Sequence, residues 1–97
     1  MRSGEVTTAQ LQQLAAASAA GDVQMFSASW CPNCASARSW MDQYGFKYEL
    51  CDIETSPACK SQLFSLDAQG GIPYFIVKGK HMGDGFDSEE FINILKR

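Results

Sequence analysis

The sequence has no long apolar run. Nothing in its 97 residues approaches the roughly 18 consecutive apolar residues of a transmembrane helix, so no membrane association is expected. The opening residues Met1-Arg2-Ser3-Gly4-Glu5 lead into no apolar h-region, and the Ala-rich stretch at 15–20 is only weakly apolar and is broken by Ser18. No signal peptide is read here, and a cytoplasmic location is expected; an export form whose leader is already removed stays open. Basic charge is also scarce, with 8 Lys and Arg against 11 Asp and Glu and a net charge of -3. That balance argues against nucleic acid or an anionic membrane surface as partner. Repeats, low-complexity linkers and internal boundaries are missing too, so residues 1–97 are expected to form one domain, acting as a monomer.

What the chain does contain is enough apolar material for a core, 45% of its residues, and four cysteines: Cys31, Cys34, Cys51 and Cys59. A secreted mini-protein would use four cysteines as a disulfide framework. In a cytoplasmic chain with its own core, the same count points to catalysis or metal binding.

Residues 1–6 are expected to be a short mobile end. Thr7 or Thr8 can cap a first helix whose apolar stripe is Leu11, Leu14, Ala15 and Ser18, stopped at Gly21-Asp22. Residues 23–28 are apolar enough for a buried strand and run directly into Trp30-Cys31. Pro32 suits the first turn of a second helix, where its missing N–H costs nothing. Cys34, Ala37, Met41 and Tyr44 recur there at helical spacing beside Trp40, reading as core, and Gly45 ends it. Residues 46–53 alternate, with Phe46, Tyr48 and Leu50 on one face, as a second strand.

Ser56-Pro57 opens a third helix reaching about Leu66, with Leu63, Phe64 and Leu66 apolar. Gly70-Gly71 breaks the chain before a third strand at 73–77, and Lys78-Gly79-Lys80 turns it into a fourth near His81-Met82. After another break at 83–85, Asp87 or Ser88 caps a last helix, with Glu90 in capping-box position and Phe91, Ile94 and Leu95 as its buried stripe. The predicted order is α-β-α-β-α-β-β-α. The first two strands are expected to be parallel and the last two a hairpin, giving an α/β fold with a four-stranded mixed sheet and helices on both faces.

On this map the Cys31-Pro32-Asn33-Cys34 dithiol follows a buried strand and opens a helix, the setting that makes a Cys-x-x-Cys redox-active. A free thiol near pKa 8.5 is only about 3% thiolate at pH 7. The free N–H groups and positive dipole end of a helix stabilise the anion, and a pKa near 6 raises the thiolate to about 90%. Cys31 is therefore the expected nucleophile. Cys34, one turn on and more buried, is the expected resolving thiol. The competing reading is a non-catalytic protein holding zinc or an iron–sulfur cluster. Against it, Cys51 and Cys59 are eight apart and lack the spacing of a second knuckle.

Three motifs resemble the glutaredoxin/thioredoxin superfamily: Ser29-Trp30-Cys31-Pro32-Asn33-Cys34, Gly71-Ile72-Pro73, and Gly85-Phe86 before a capped helix. The resemblance spans about residues 23–96 and implies a thioredoxin fold, here with an extra N-terminal helix, in a glutaredoxin-like protein. It further implies a cis bond before Pro73, with the backbone of Ile72 pairing with a bound peptide or glutathione. Trp30 resembles thioredoxins, yet Met25 stands where they carry a buried acid. The short span from dithiol to Pro73 resembles glutaredoxins, yet Ala28 stands where they usually carry Lys, and 83–87 departs from their Gly-Gly-x-Asp run. The Gly85-Phe86 pair is similar to redoxins reduced by thioredoxin reductase. The electron donor is thus open between glutathione and a thioredoxin-reductase-type protein. In a glutathione-bound form, Asp87 or Ser88 would contact it. No tightly bound cofactor or metal is expected, and disulfide-containing proteins are the expected substrates.

Among individual residues, Trp30 is expected to collar the dithiol and meet protein substrates. Pro32 and Asn33 lie in the turn between the sulfurs, where Asn33 would tune the redox poise. Arg38 reads as a solvated side chain. Cys51 reads as a small hydrophobe, with a Cys51–Cys59 bridge or second redox site as the alternative. His81, the single histidine, reads as a surface residue of the hairpin.

Overall fold

The computed structural model describes residues 7–83 and 85–96; the expected mobile end at 1–6 lies outside the described residues. The elements follow in the order α1 (Thr8–Ala17), β1 (Val23–Ser27), α2 (Pro32–Tyr44), β2 (Glu49–Asp52), α3 (Pro57–Leu66), β3 (Tyr74–Val77), β4 (Lys80–Met82) and α4 (Ser88–Lys96), with a short 3-10 turn at Ala20–Asp22. The predicted order therefore holds. The strands lie in the order β2-β1-β3-β4, with β1 and β2 parallel and β3 antiparallel to both β1 and β4.

Side chains alternate across this sheet as the two-residue period of a strand requires. Val23 and Met25 of β1, Phe75 and Val77 of β3, and Met82 of β4 enter one core, where they meet Leu11 and Ala15 of α1, Ala37 and Met41 of α2, and Phe91, Ile94 and Leu95 of α4. Phe26 and Tyr74 enter a second, smaller core with Cys51 and Leu63 of α3. The two cores are unequal: three helices cover the first and one helix covers the second. Aromatic rings strengthen the first, with Trp40 stacked on Phe46 at 5.4 Å and Phe91 edge-on to both.

Helix ends explain where the structure departs from the sequence pattern. Helix α1 opens with a capping box, Gln10 N–H donating to Thr7 Oγ1 at 3.1 Å and Thr7 N–H to Gln10 Oε1 at 2.9 Å. It stops at Ala17 rather than at Gly21, because Ser18 turns extended, with its hydroxyl on the Leu14 carbonyl at 2.9 Å. Asp22 then accepts from Ala19 N–H and closes the 3-10 turn. Strand β2 is shorter than 46–53. Phe46 N–H still belongs to the end of α2, donating to the Met41 carbonyl at 2.9 Å beyond the left-handed Gly45 (φ 80°). Leu50, expected on one face with Phe46 and Tyr48, pairs with Met25 in register but is 47% exposed on the edge strand. Phe64 and Leu66 are likewise exposed, so α3 buries only Leu63 completely.

Candidate active site

Strand β1 delivers the chain to the N-terminus of α2 through Ala28-Ser29-Trp30. Cys31 is the N-cap of α2 and Pro32 its first residue. The Cys31 sulfur accepts the Cys34 N–H at 3.1 Å, and the Cys31 carbonyl accepts from Ala35 N–H at 3.1 Å. The sulfur thus takes one of the donors that a helix start leaves unpaired, at the positive end of the helix dipole. Cys31 and Cys34 are joined as a disulfide, their Cα atoms 5.2 Å apart. Cys34 is wholly buried while Cys31 keeps 5% of its surface exposed, so attack from outside meets Cys31 first.

Ser29, just before Trp30, is tied down from a distant part of the sequence. Its N–H and its hydroxyl both donate to Glu54 Oε1, each at 2.7 Å. Glu54 N–H in turn donates to Asp52 Oδ1 at 2.8 Å, so the carboxylate sits on a turn fixed by the end of β2. Trp30 projects from this anchored loop and is 66% exposed. It shares a groove with Ile53, Glu54, Pro57, Lys60, Phe64 and Gly70. Gly70 (φ 66°) lets the Phe64 ring lie over the backbone; a Cβ there would stand 2.5 Å from the ring.

The bond between Ile72 and Pro73 is cis, and Ile72 packs against the core that contains Cys31 and Cys34. Pro73 is buried at the entrance to β3. On the other side, Asn33, Ser36, Ala37, Trp40, Gly85, Phe86 and Ser88 line a second groove, bringing the start of α2 against the turn before α4. Phe86 is half-buried, its ring 5.3 Å from both Trp40 and Phe75. Gly85 takes φ 98°. Asp87 caps α4, its Oδ1 accepting from Glu89 N–H at 3.0 Å and from Glu90 N–H at 3.3 Å. Residue 84, part of the 83–87 run, lies outside the described residues.

Trp30, just before α2, therefore lines one groove, and Asn33, Gly85 and Phe86 line another along the start of α2, with Pro32 exposed. Glu54, Lys60 and Phe64 were not anticipated. Glu54 acts across 25 residues of sequence, a contact created only when β1 and β2 pair in parallel. Arg38, read as solvated, is half-buried with its Nε enclosed. His81 is exposed, as expected for a hairpin residue, and its Nδ1 lies 2.7 Å from the Tyr74 hydroxyl.

Cys51 is not a simple buried hydrophobe. It is bonded to Cys59, with Cα atoms 5.5 Å apart, inside the range a disulfide spans. The bridge forms because β2 brings Cys51 to the inner face beside Phe26, while Ser56 starts α3 so that its third residue meets that face. Among the described residues, no three His, Cys, Asp or Glu side chains converge on a point that could hold a metal ion.

A dithiol at a helix N-terminus, on a four-stranded mixed sheet with a cis-proline entering the third strand, defines a thioredoxin-fold thiol–disulfide oxidoreductase. More narrowly, the chain belongs to the glutaredoxin family: residues 23–82 match the Glutaredoxin family model. A glutaredoxin from Ricinus communis is 33% identical over 69 residues, covering 68% of this chain and 67% of that protein. Solved structures share the fold at lower identity. A buckwheat glutaredoxin–glutathione complex aligns with a TM-score of 0.63 and 22% identity over 92% of this chain and 86% of that one. A thioredoxin-like protein gives 0.64 and 18% over 74% of this chain and 97% of the other.

Proposed function

We propose that the protein reduces glutathione mixed disulfides and protein disulfides, with Cys31 as nucleophile, Cys34 as resolving thiol and glutathione as electron donor. The observation that carries this reading is the seat of Cys31: its sulfur is the N-cap acceptor of α2, bonded to Cys34 N–H. In the reduced protein the same N–H and dipole favour the Cys31 thiolate. That thiolate attacks a substrate disulfide, forming a mixed disulfide and expelling the first product thiolate. Cys34 gives up its proton and attacks the Cys31 sulfur, releasing the second product thiol and regenerating the Cys31–Cys34 disulfide. Two glutathione molecules then reduce that disulfide and leave as glutathione disulfide.

The grooves supply the contacts. Trp30 offers an apolar face to a protein substrate. The backbone of Ile72, ahead of the cis bond, pairs with an extended peptide or with glutathione. Asn33, Gly85 and Phe86 line the groove assigned to glutathione. The capping bonds of Asp87 use only Oδ1, and Asp87 borders the adjoining pocket with Gly85 and Phe86, so its Oδ2 is our candidate acceptor for the ligand's ammonium group. Family membership and the fold of a glutaredoxin solved with glutathione support glutathione as donor.

The test is the Cys34→Ser protein. It is expected to accumulate one glutathione per chain on Cys31, seen as a mass adduct, and to keep activity on glutathione mixed disulfides with glutathione and glutathione reductase. It is expected to lose insulin reduction. Absence of any Cys31 adduct in a folded variant overturns the mechanism. Turnover of the wild type by thioredoxin reductase, and not by glutathione, overturns the choice of donor.

A further inference from the structure

The mechanism leaves Cys51–Cys59 unused, and its placement is asymmetric. Cys59 is the third residue of α3, with its N–H on the Ser56 hydroxyl at 3.2 Å, and it is half-buried. Cys51 is buried against Phe26, Leu63 and Tyr74. The first turn of a ten-residue helix stabilises a thiolate on Cys59, and solvent reaches it; an apolar pocket favours the neutral thiol on Cys51. The pair thus has one sulfur open to attack from solvent and one enclosed in the second core.

The bridge also bears more of its helix than a surface staple would. Helix α3 buries only Leu63 completely, whereas α2 buries Cys34, Ala37 and Met41, and α4 buries Phe91, Ile94 and Leu95. The loop closed by the bridge contains Glu54, which holds Ser29, and Ile53 and Pro57, which line the Trp30 groove; Lys60 and Phe64 continue that wall along α3.

We propose that Cys51–Cys59 is a second thiol–disulfide site, taking a low-molecular-weight thiol of the glutathione class, and that its state sets the position of the Trp30 groove wall. Reduction proceeds in two exchanges. The thiolate of one glutathione bonds to the Cys59 sulfur, breaking the bridge, and Cys51 leaves and takes up a proton. A second glutathione thiolate attacks the glutathione sulfur of that adduct, releasing glutathione disulfide and the Cys59 thiolate, which lies at the positive end of the α3 dipole. One protein disulfide and two glutathione thiols become one protein dithiol and one glutathione disulfide. The chemistry at Cys59 stands independently of the proposed function; the effect on substrate binding rests on it.

The Cys31→Ser/Cys34→Ser protein isolates the second pair. Equilibrated over a series of glutathione and glutathione disulfide ratios, quenched and alkylated, it is expected to pass between bridge and dithiol within the series. A glutathione adduct is expected to map to Cys59. Hydrogen-exchange protection of α3 amides is expected to fall at least tenfold on reduction, with α2 unchanged. If that double variant does not fold, peptide mapping of the wild type follows the two pairs separately. A bridge that stays closed at the most reducing ratio in folded protein overturns the proposal, as does an adduct on Cys51 or equal α3 protection in both states. A second protein, Cys51→Ser/Cys59→Ser with the first pair intact, is expected to raise KM for a mixed-disulfide substrate severalfold at an unchanged alkylation rate of reduced Cys31. An unchanged KM, with the bridge still glutathione-responsive, refutes the role of the α3 wall in substrate binding and leaves the second site standing.

Discussion

Cys31 and Cys34 differ little in exposure and much in setting, since one sulfur caps a helix and the other is sealed beneath it. The residue that steadies this arrangement from outside is Glu54. Its two bonds to Ser29 hold the loop from which Trp30 and Cys31 project, so it is a positioning residue rather than a catalytic one. Glu54→Ala removes an exposed hydrogen-bonded pair, a loss of about 1 kcal/mol. If half or more of that loss is felt in the transition state, kcat/KM falls by up to about fivefold. The expected signature is a lower kcat/KM together with faster exchange of the Ser29 amide, and Glu54→Gln, which keeps an acceptor, restores most of both. No local sequence signal marks Glu54, because its partner lies on another loop. The same limit left the Cys51–Cys59 bridge as only the alternative to a packed Cys51, since its geometry depends on the register of β2 against β1. Cys31 and Cys34 were legible because they belong to a short motif with its own backbone context, and the cis bond before Pro73 only through the family resemblance of Gly71-Ile72-Pro73.

The ends of α2 and the start of α4 were legible from their punctuation, whereas the Gly21-Asp22 stop of α1 was placed too late. Pro32 and Gly45 bound α2, and Asp87 opens α4 with Glu90 three residues on. Asp87→Ala is expected to lower stability by about 1 kcal/mol, seen as a lower urea midpoint at constant slope, and Asp87→Asn by a few tenths. Ends set by tertiary surroundings were not legible. The chain at 46–48 alternates like a strand but serves the end of α2, and β2 begins only where β1 offers a partner. Leu50 keeps the right period and still faces water, because an edge strand has a neighbour on one side only. In α3, Phe64 and Leu66 follow an apolar pattern that the small second core has no room to take in.

At the scale of the whole molecule, stability is linked to alkaline pH through Tyr48. Burial, the hydrogen bond to Asp42 and the Asp42 charge raise the Tyr48 pKa above 10.0, against an opposing pull from Arg38. The folded state therefore holds this proton more tightly than the unfolded chain does. Its contribution to stability is complete below about pH 10 and is lost as pH rises through the folded value. The stability gap between wild type and Tyr48→Phe is expected to stay constant from about pH 7 to 9 and to narrow above about pH 10, measured by urea unfolding across that range. A gap that widens there reverses the sign.

Trp30 remains, an indole left 66% exposed on a loop that Glu54 holds through Ser29. Covering such a ring with any apolar surface yields up to about 2 kcal/mol, roughly a thirtyfold gain in association. That gain does not depend on which residues do the covering. A site that draws its affinity from wet aromatic area selects for surfaces that are greasy near a disulfide, whatever their sequence, and so suits a broad clientele better than a single dedicated one.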